Sequence, residues 1–200
     1  MGDESHSQES ADEEPRDPSL EDVARLCHEL NSRGAKYVLV GGFAIILHGY
    51  PRYTKDVDFL VETTLENEAL VLEAVATLPE HAARQVQPGQ IAEHVVVRIG
   101  DEILVDLMRS GCGITYADAI SDADKKEIHG ELVPCASIQT MWRMKQTLRA
   151  NDAQDRLFLA KLAEDKGLLL DPPPSPPPSE VPLWVEKFTG WLRRVFRRRS

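Results

Sequence analysis

The spacing of apolar residues changes along the chain between helical and strand periods, and it predicts both kinds of element. Apolar residues recur at helical spacing after Ser19, and Ser19 with Asp22 has the sequence of a helix-capping box. The short apolar run Tyr37–Val40 is typical of a buried strand and ends at Gly41-Gly42. Predicted helices cover about 20–32, 43–49, 65–78, 138–148 and 152–166. Predicted strands cover 37–40, 54–61, 92–99 and 102–108, with a hairpin over 126–135.

Residues that begin or end helices indicate further boundaries. Thr64 is expected to cap the second long helix, and Pro79 ends it. Ser137 and Asp152 are expected to cap the last two helices, and Gly167 ends the final one. Strands come first along the chain and helices last, which favours the α+β class. The predicted fold is a small mixed β-sheet with flanking helices and a C-terminal helical pair.

The two ends of the chain differ in composition from its middle. Residues 1–18 are rich in Asp, Glu and Ser and are expected to form a disordered acidic tail. The predicted domain covers residues 19–170, and this length is sufficient to bury a hydrophobic core. Residues 171–182 contain a run of prolines, which predicts a stiff polyproline II linker.

Residues 183–200 predict a basic amphipathic helix after that linker. Trp184, Phe188 and Trp191 recur at helical spacing among several arginines. A helix of this kind binds either an anionic membrane surface or a groove on a partner protein. The alternatives are packing of the helix back onto its own domain and a frayed tail.

Composition limits the partners and the compartment. The net charge of −10 at pH 7 argues against general binding of duplex nucleic acid, which depends on basic residues that neutralise phosphates. The three cysteines are widely separated and show no zinc-site spacing, which predicts reduced thiols. No apolar run is long enough to span a membrane. The sequence therefore predicts a cytoplasmic protein, peripheral at the membrane if the C-terminal helix binds lipid.

Asp56 and Asp58 stand two residues apart in a run that otherwise has strand character. Because a strand has a period of two, both carboxylates should point from one face, and Val57 and Phe59 from the other. Two adjacent carboxylates repel each other unless a cation or a proton lies between them. Magnesium accepts such oxygen ligands, usually together with substrate phosphates. The alternative is a pair without an ion, because Asp-x-Asp also occurs in turns and at solvated strand ends.

Two further features favour a metal site at Asp56 and Asp58. Gly41-Gly42 lies between a strand and a helix, where backbone amides attract phosphate; the alternative is a tight turn that needs positive φ. Asp106 is embedded in the apolar strand Glu102–Met108, and a buried aspartate is costly unless it is paired or binds a metal. We expect Asp106 to join Asp56 and Asp58 from a neighbouring strand, the alternative being a cap for a loop amide.

Together these features resemble the nucleotidyltransferase superfamily of the DNA polymerase beta type, and in particular its bacterial AbiEii-like group. The resemblance covers about residues 20–170. It is carried by an ordered set of residues: Gly41-Gly42, His48-Gly49, Arg52, Thr54, Asp56, Asp58 and Asp106. The resemblance implies a nucleotidyltransferase fold and transfer of a nucleoside monophosphate from a nucleoside triphosphate, such as ATP, to an acceptor.

The resemblance also implies roles for individual residues. Asp56 and Asp58 would bind two magnesium ions, and Asp106 would help to bind one ion and activate the acceptor hydroxyl. Lys145, in the helical pair, is a candidate for binding the triphosphate; a solvated helix face is the alternative. Arg52 either reaches the same phosphates or is an ordinary surface arginine.

Two positions of the ordered set need separate comment. Many members of the superfamily have Gly-Ser where this chain has Gly41-Gly42, so one phosphate contact must come from backbone alone. His48 lies near the aspartates, but a histidine at such a position more often packs than binds a ligand.

Two functions from different classes remain open on the sequence. The first is a magnesium-dependent nucleotidyltransferase whose acceptor is RNA, a protein or a small molecule such as an aminoglycoside. A role as the toxin of a toxin–antitoxin pair belongs to this reading. The second is a non-catalytic nucleotide- or protein-binding module that keeps the fold. The presence of all three carboxylates favours the enzyme.

Overall fold

The computed structural model describes residues 14–172, and the predictions for the proline-rich linker beyond 172 and for the C-terminal helix lie outside them. The strands are β1 (Tyr37–Val40), β2 (Asp56–Val61), β3 (Val96–Gly100), β4 (Leu104–Met108), β5 (Ser110–Gly111), β6 (Ile114–Thr115), β7 (Asp124–Ile128) and β8 (Glu131–Cys135). The helices are α1 (Leu20–Ser32), α2 (Gly41–Leu47), α3 (Leu65–Val75), α4 (Gln90–Glu93), α5 (Tyr116–Ile120), α6 (Ile138–Met144) and α7 (Ala150–Asp165), with a 3-10 helix at Ala82–Gln85.

Six of these strands form one mixed sheet in the order β3-β4-β2-β1-β8-β7, and β5 pairs with β6 in a separate ribbon. The central pair β1 and β2 is antiparallel, whereas β2 runs parallel to β4 and β1 parallel to β8. Two antiparallel hairpins, β3-β4 and β7-β8, complete the edges. The predicted α+β class with a mixed sheet and flanking helices is confirmed.

Helices cover both faces of the sheet, and the alternation along β2 explains how. Phe59 packs with Leu26 of α1 and Val71 of α3 in one buried cluster. Leu60 points the other way and packs with Met141 of α6 and Leu159 of α7 in a second cluster. Because Asp56 and Asp58 share the period of Leu60, they lie on the second face, the face that α6 and α7 cover.

Several boundaries follow from local sequence as predicted. Ser19 and Asp22 form a complete capping box at the start of α1. Thr64 caps α3 and Ser137 caps α6, each by accepting a hydrogen bond from a backbone N–H. The β7-β8 hairpin turns at His129-Gly130, where both residues have positive φ.

The predicted strand over 92–99 is wrong in its first half. Residues Gln90–Glu93 form the single turn α4, and β3 begins only at Val96. Glu68 of α3 is fully buried, and its carboxylate accepts hydrogen bonds from the backbone N–H groups of Gly89, Ile91 and Ala92. This distant carboxylate fixes the turn, so the apolar alternation over these residues does not produce a strand.

The role expected for Asp152 is also wrong. Helix α7 begins at Ala150, its N-cap is Arg149, and no side chain caps it. Asp152 lies within the first turn, where its carboxylate accepts hydrogen bonds from Lys145 and Thr147 of the loop after α6. That loop interrupts the helix predicted to extend to 148, which ends at Met144.

The described structure includes the last residues of the predicted acidic tail. The guanidinium of Arg16 contacts Asp22 and Glu102, and the backbone of Arg16 forms an isolated parallel β-bridge with Ile103. Residues 14–18 therefore contact the domain, and the remainder of the predicted tail lies outside the described residues. Across residues 14–172, none of the helices combines the length and the apolar character that a membrane span requires.

Candidate active site

One row of paired residues crosses four neighbouring strands of the sheet. Val40 of β1 is opposite Asp58 of β2, Asp58 is opposite Asp106 of β4, and Asp106 is opposite Arg98 of β3. Directly paired residues project from the same face of a sheet. Asp56 shares this face because it stands two residues before Asp58.

The row brings together the three aspartates that the sequence singled out. One carboxylate oxygen from each of Asp56, Asp58 and Asp106 lies within 4.8 Å of those of the other two. Asp106 is buried, as its apolar surroundings predicted, and Asp56 and Asp58 are half-buried. The carboxylates form a compact set of oxygen ligands, while their role as metal ligands stays a prediction.

The electrostatics of the three carboxylates are unfavourable for a full set of negative charges. Burial raises the pKa of Asp58, the charges of Asp56 and Asp106 raise it as well, and the pKa reaches about 7. Lys145 and a hydrogen bond from the backbone N–H of Gly42 act in the opposite direction. A cation placed among these oxygens would relieve the repulsion and lower the pKa of Asp58.

A cation from the protein itself is already in contact with two of the three aspartates. Nε and Nη2 of Arg98 donate to the two carboxylate oxygens of Asp106 at 2.8 and 2.7 Å. Nη2 also donates to Oδ2 of Asp56 at 3.0 Å. Sequence reasoning missed Arg98, although the predicted hairpin around Gly100 placed its strand next to that of Asp106.

The structure gives Gly41 and Gly42 a packing role. Gly41 has φ of +65°, and a Cβ there would lie 1.8 Å from Oδ2 of Asp58. A Cβ on Gly42 would lie 2.3 Å from Oγ1 of Thr54. The missing side chains therefore allow the Asp58 carboxylate and Thr54 to approach the backbone turn. Binding of phosphate by this turn stays a prediction.

Arg52 and Lys145 belong to a network of charges between the cleft and α7. Nη1 of Arg52 lies 2.5 Å from Oδ2 of Asp155, a residue that is only 1% exposed. Nζ of Lys145 lies 3.0 Å from carboxylate oxygens of both Asp152 and Asp155. Arg156 adds hydrogen bonds to the carbonyl oxygens of Lys145 and Thr147. Sequence reasoning missed Arg156, which had no signal beyond its place on a helix.

His48 has the packing role that the sequence favoured. It is buried, and its Nε2 donates a hydrogen bond to the carbonyl oxygen of Ala136 at 2.8 Å. Burial lowers the pKa of His48, which keeps the imidazole neutral at physiological pH.

All seven residues predicted for the site line a single cleft of about 1030 Å³: Gly41, Gly42, Arg52, Asp56, Asp58, Asp106 and Lys145. Lys55, Arg98 and Arg149 add further positive charge to its lining. The cleft thus combines a compact acidic set with several cations, an arrangement suited to a ligand that carries phosphates and metal ions.

One solved structure shows the same fold. The crystal structure of ANT(2")-Ia in complex with adenylyl-2"-tobramycin matches with a TM-score of 0.50 and 14% sequence identity, over 74% of this chain and 91% of that one. A putative nucleotidyltransferase from Thermotoga maritima matches with a TM-score of 0.41 and 16% identity, over 74% of this chain and 88% of that one. No curated protein matches the chain.

Fold and family together define the class of protein as a nucleotidyltransferase, an enzyme that transfers a nucleoside monophosphate from a nucleoside triphosphate to an acceptor. The model of the aminoglycoside-2''-adenylyltransferase family matches residues 22–159, and the chain belongs to that family. The matched segment includes the row of aspartates, the Gly41-Gly42 turn and most of the charge network on α7.

Proposed function

We propose that the protein transfers AMP from ATP to a hydroxyl group of an aminoglycoside-like amino sugar in a reaction that depends on divalent metal ions. The observation that carries the proposal is the convergence of Asp56, Asp58 and Asp106 in one cleft. The nucleotide and the acceptor class are suggested by the family and by the structural neighbour that holds an adenylylated tobramycin.

The residues present fit a divalent metal site. Every donor in the set is a carboxylate oxygen, the ligand that magnesium prefers, and the three oxygens are close enough to share ions. The raised pKa of Asp58 and the contacts of Arg98 both indicate that the set attracts positive charge. Magnesium bound there would neutralise the triphosphate and the charge that develops on the leaving group.

The carboxylates then have separate roles in the proposed reaction. Asp56 and Asp58 would hold the ions from the same face of β2. The acceptor oxygen forms a bond to the α-phosphorus, and the bond from that phosphorus to pyrophosphate breaks. The hydroxyl proton passes to a carboxylate, and Asp106 is the candidate because it lies next to Asp58 on a different strand.

The cations of the cleft are proposed to hold the triphosphate. Lys145 carries three N–H donors, and its contacts with Asp152 and Asp155 account for two of them among the described residues, which leaves one for a phosphate oxygen. Arg52 has further N–H donors beyond the one that Asp155 accepts. Gly41 and Gly42 also line the cleft, and because the N–H of Gly42 donates to Asp58, the backbone amide of Gly41 is the proposed uncharged donor to a phosphate.

The dimensions of the cleft support a small acceptor. Its volume of about 1030 Å³ lies at the upper end of ordinary ligand sites, which gives room for a nucleotide and a second small molecule together. RNA and protein acceptors, which the sequence left open, are tested as separate acceptors in the same experiment.

The test incubates purified full-length protein and Mg²⁺ with each α-labelled nucleoside triphosphate and, separately, with aminoglycosides, tRNA or a protein extract. We expect label from ATP to appear on an aminoglycoside and to disappear when EDTA removes the metal. Asp58→Asn should lower the rate by about 100-fold or more, because the central oxygen ligand loses its charge. Circular dichroism checks that the variant stays folded.

Lys161→Met is the matched control, because Lys161 is an exposed residue of α7 that pairs only with Glu164 and Asp165 among the described residues. It should transfer label at the wild-type rate. Undiminished transfer by folded Asp58→Asn would contradict the metal assignment. Label on tRNA or protein alone would contradict the proposed acceptor and favour the toxin role.

A further inference from the structure

Arg98 is the one charged residue of β3, and the register places it directly opposite Asp106. Its guanidinium makes a two-point contact with Asp106 and a third contact with Asp56. In residues 14–172 these carboxylates are its only hydrogen-bond partners. Arg98 thus joins the two aspartates that flank Asp58 and places one positive charge beside the acidic set.

We propose that Arg98 is a tethered counter-cation of the acidic set, which holds Asp56 and Asp106 in place before divalent ions bind and competes with those ions for the same oxygens. The inference rests on the proposed metal site. It assigns Arg98 a positioning role and predicts that this residue lowers the affinity of the free enzyme for metal ions.

Charge explains why the guanidinium and the ions compete. Both oxygens of Asp106 and one oxygen of Asp56 already accept short hydrogen bonds from Arg98. A divalent ion bound to the same carboxylates lies a few ångströms from the guanidinium, where two positive charges repel strongly because the site is partly desolvated. The ion therefore binds fully only when Arg98 moves away or loses part of its contact.

The surroundings of Arg98 permit that movement. Its side chain is 54% exposed, whereas the side chain of Asp106 is 10% exposed. Because no other described residue holds the guanidinium, rotation into solvent breaks only the contacts with the two aspartates. The buried carboxylate stays fixed on its strand while the exposed partner moves, as a competing but displaceable cation requires.

The experiment measures binding of Mn²⁺ to full-length protein without nucleotide, by calorimetry, together with the melting temperature in the presence and absence of Mn²⁺. We expect Arg98→Met to bind Mn²⁺ about tenfold more tightly than wild type, because the methionine keeps the stem and removes the charge. Without metal the variant should melt at a lower temperature, because Asp56 and Asp106 then lack the counter-cation that contacts them. Added Mn²⁺ should raise its melting temperature more than that of wild type.

Two further variants sharpen the comparison. Arg98→Lys keeps the charge but lacks the planar fork, so its Mn²⁺ affinity should lie between those of wild type and Arg98→Met. Arg109→Met is the matched control, because Arg109 lies just after β4 and donates to the carbonyl oxygen of Ala92 without contacting the aspartates. Its Mn²⁺ affinity should equal that of wild type.

The outcomes separate the inference from the proposed metal site. If wild type binds Mn²⁺ and Arg98→Met binds it equally or more weakly, Arg98 does not compete with the ion and the inference is overturned. If neither protein binds Mn²⁺, the acidic set is not a metal site, and both the inference and the proposed metal dependence fail. Tighter binding by Arg98→Met that Asp58→Asn abolishes supports both.

Discussion

Gly41 controls the position of a single carboxylate at the centre of the cleft. Its backbone adopts φ of +65°, and a Cβ would overlap the carboxylate of Asp58. Gly34 has almost the same conformation, φ of +69°, but a Cβ there would meet nothing within 4 Å. Substitution of Gly34 therefore tests only the strain of a left-handed backbone, whereas substitution of Gly41 tests that strain together with the displacement of Asp58.

We expect Gly34→Ala to lose about 1–2 kcal/mol of unfolding free energy, because alanine is strained in this conformation. That variant should keep its transfer activity. Gly41→Ala should lose more stability and also most of its activity, since Asp58 must move. Urea unfolding and the transfer assay measure the two effects. Equal activity in the two alanine variants would show that the position of Asp58 does not depend on Gly41.

Residues of the site differ in how visible they are in the sequence. Asp56 and Asp58 are evident because a strand fixes which residues share a face. Arg98 is not evident in the sequence, because a turn of only two residues, Gly100 and Asp101, would pair Arg98 with a residue other than Asp106. In the structure the β3-β4 loop spans residues 101–103 and Gly100 is opposite Leu104, and this displaced turn brings Arg98 opposite Asp106. Asp101, which is buried, holds the loop because its carboxylate accepts hydrogen bonds from the backbone N–H groups of Glu80 and Ala82.

At the scale of elements, α7 is tied to the cleft through Asp155. This carboxylate lies between Arg52 of the loop before β2 and Lys145 at the end of α6. Asp152 adds a second negative charge, so the network of Arg52, Lys145, Asp152 and Asp155 has no net charge. Its buried aspartates fix the two cations that the proposed function assigns to the triphosphate.

Removal of the negative charge of Asp155 should therefore lower both the stability of the fold and the rate of the reaction. Asp155→Asn leaves Arg52 without its carboxylate, and we expect a loss of about 3 kcal/mol in unfolding free energy. Lys161→Met breaks an exposed pair on the same helix and should cost less than about 1 kcal/mol. Urea unfolding compares them. A cost for Asp155→Asn as small as that of Lys161→Met would contradict the importance of the network.

At the scale of the whole molecule, a cluster of charges fastens the N-terminal segment to α1 and the β3-β4 loop. Arg16 contacts both Asp22 and Glu102, and Arg25 contacts the same two carboxylates. The hydrogen bond from Arg16 holds the pKa of Asp22 far below its ordinary value. Hydrogen bonds from Arg25 and Arg16 lower the pKa of Glu102 as well.

The lowered pKa values of Asp22 and Glu102 predict a loss of stability in acid. A carboxyl whose pKa is lower in the folded state stabilises the fold above its ordinary pKa of about 4, and this contribution disappears as the pH falls towards the folded value. Wild type should therefore lose unfolding free energy between pH 7 and pH 3. Asp22→Asn should start lower at pH 7 and lose less over that interval. Urea unfolding at several pH values measures this free energy. An equal loss of unfolding free energy in the two proteins between pH 7 and pH 3 would contradict the prediction.

The sequence by itself determined most of the elements and the acidic pair, because capping boxes, strand periods and turn residues act over a few positions. Ser19, Thr64 and Ser137 begin their helices as predicted, and the α+β class followed from the order of the elements. The tertiary structure alone decided that Glu68 fixes α4, that Asp155 joins α7 to the cleft and that Arg98 contacts the acidic set. Each of these contacts joins residues on different elements, and their approach depends on strand register and on helix packing, which local patterns do not specify.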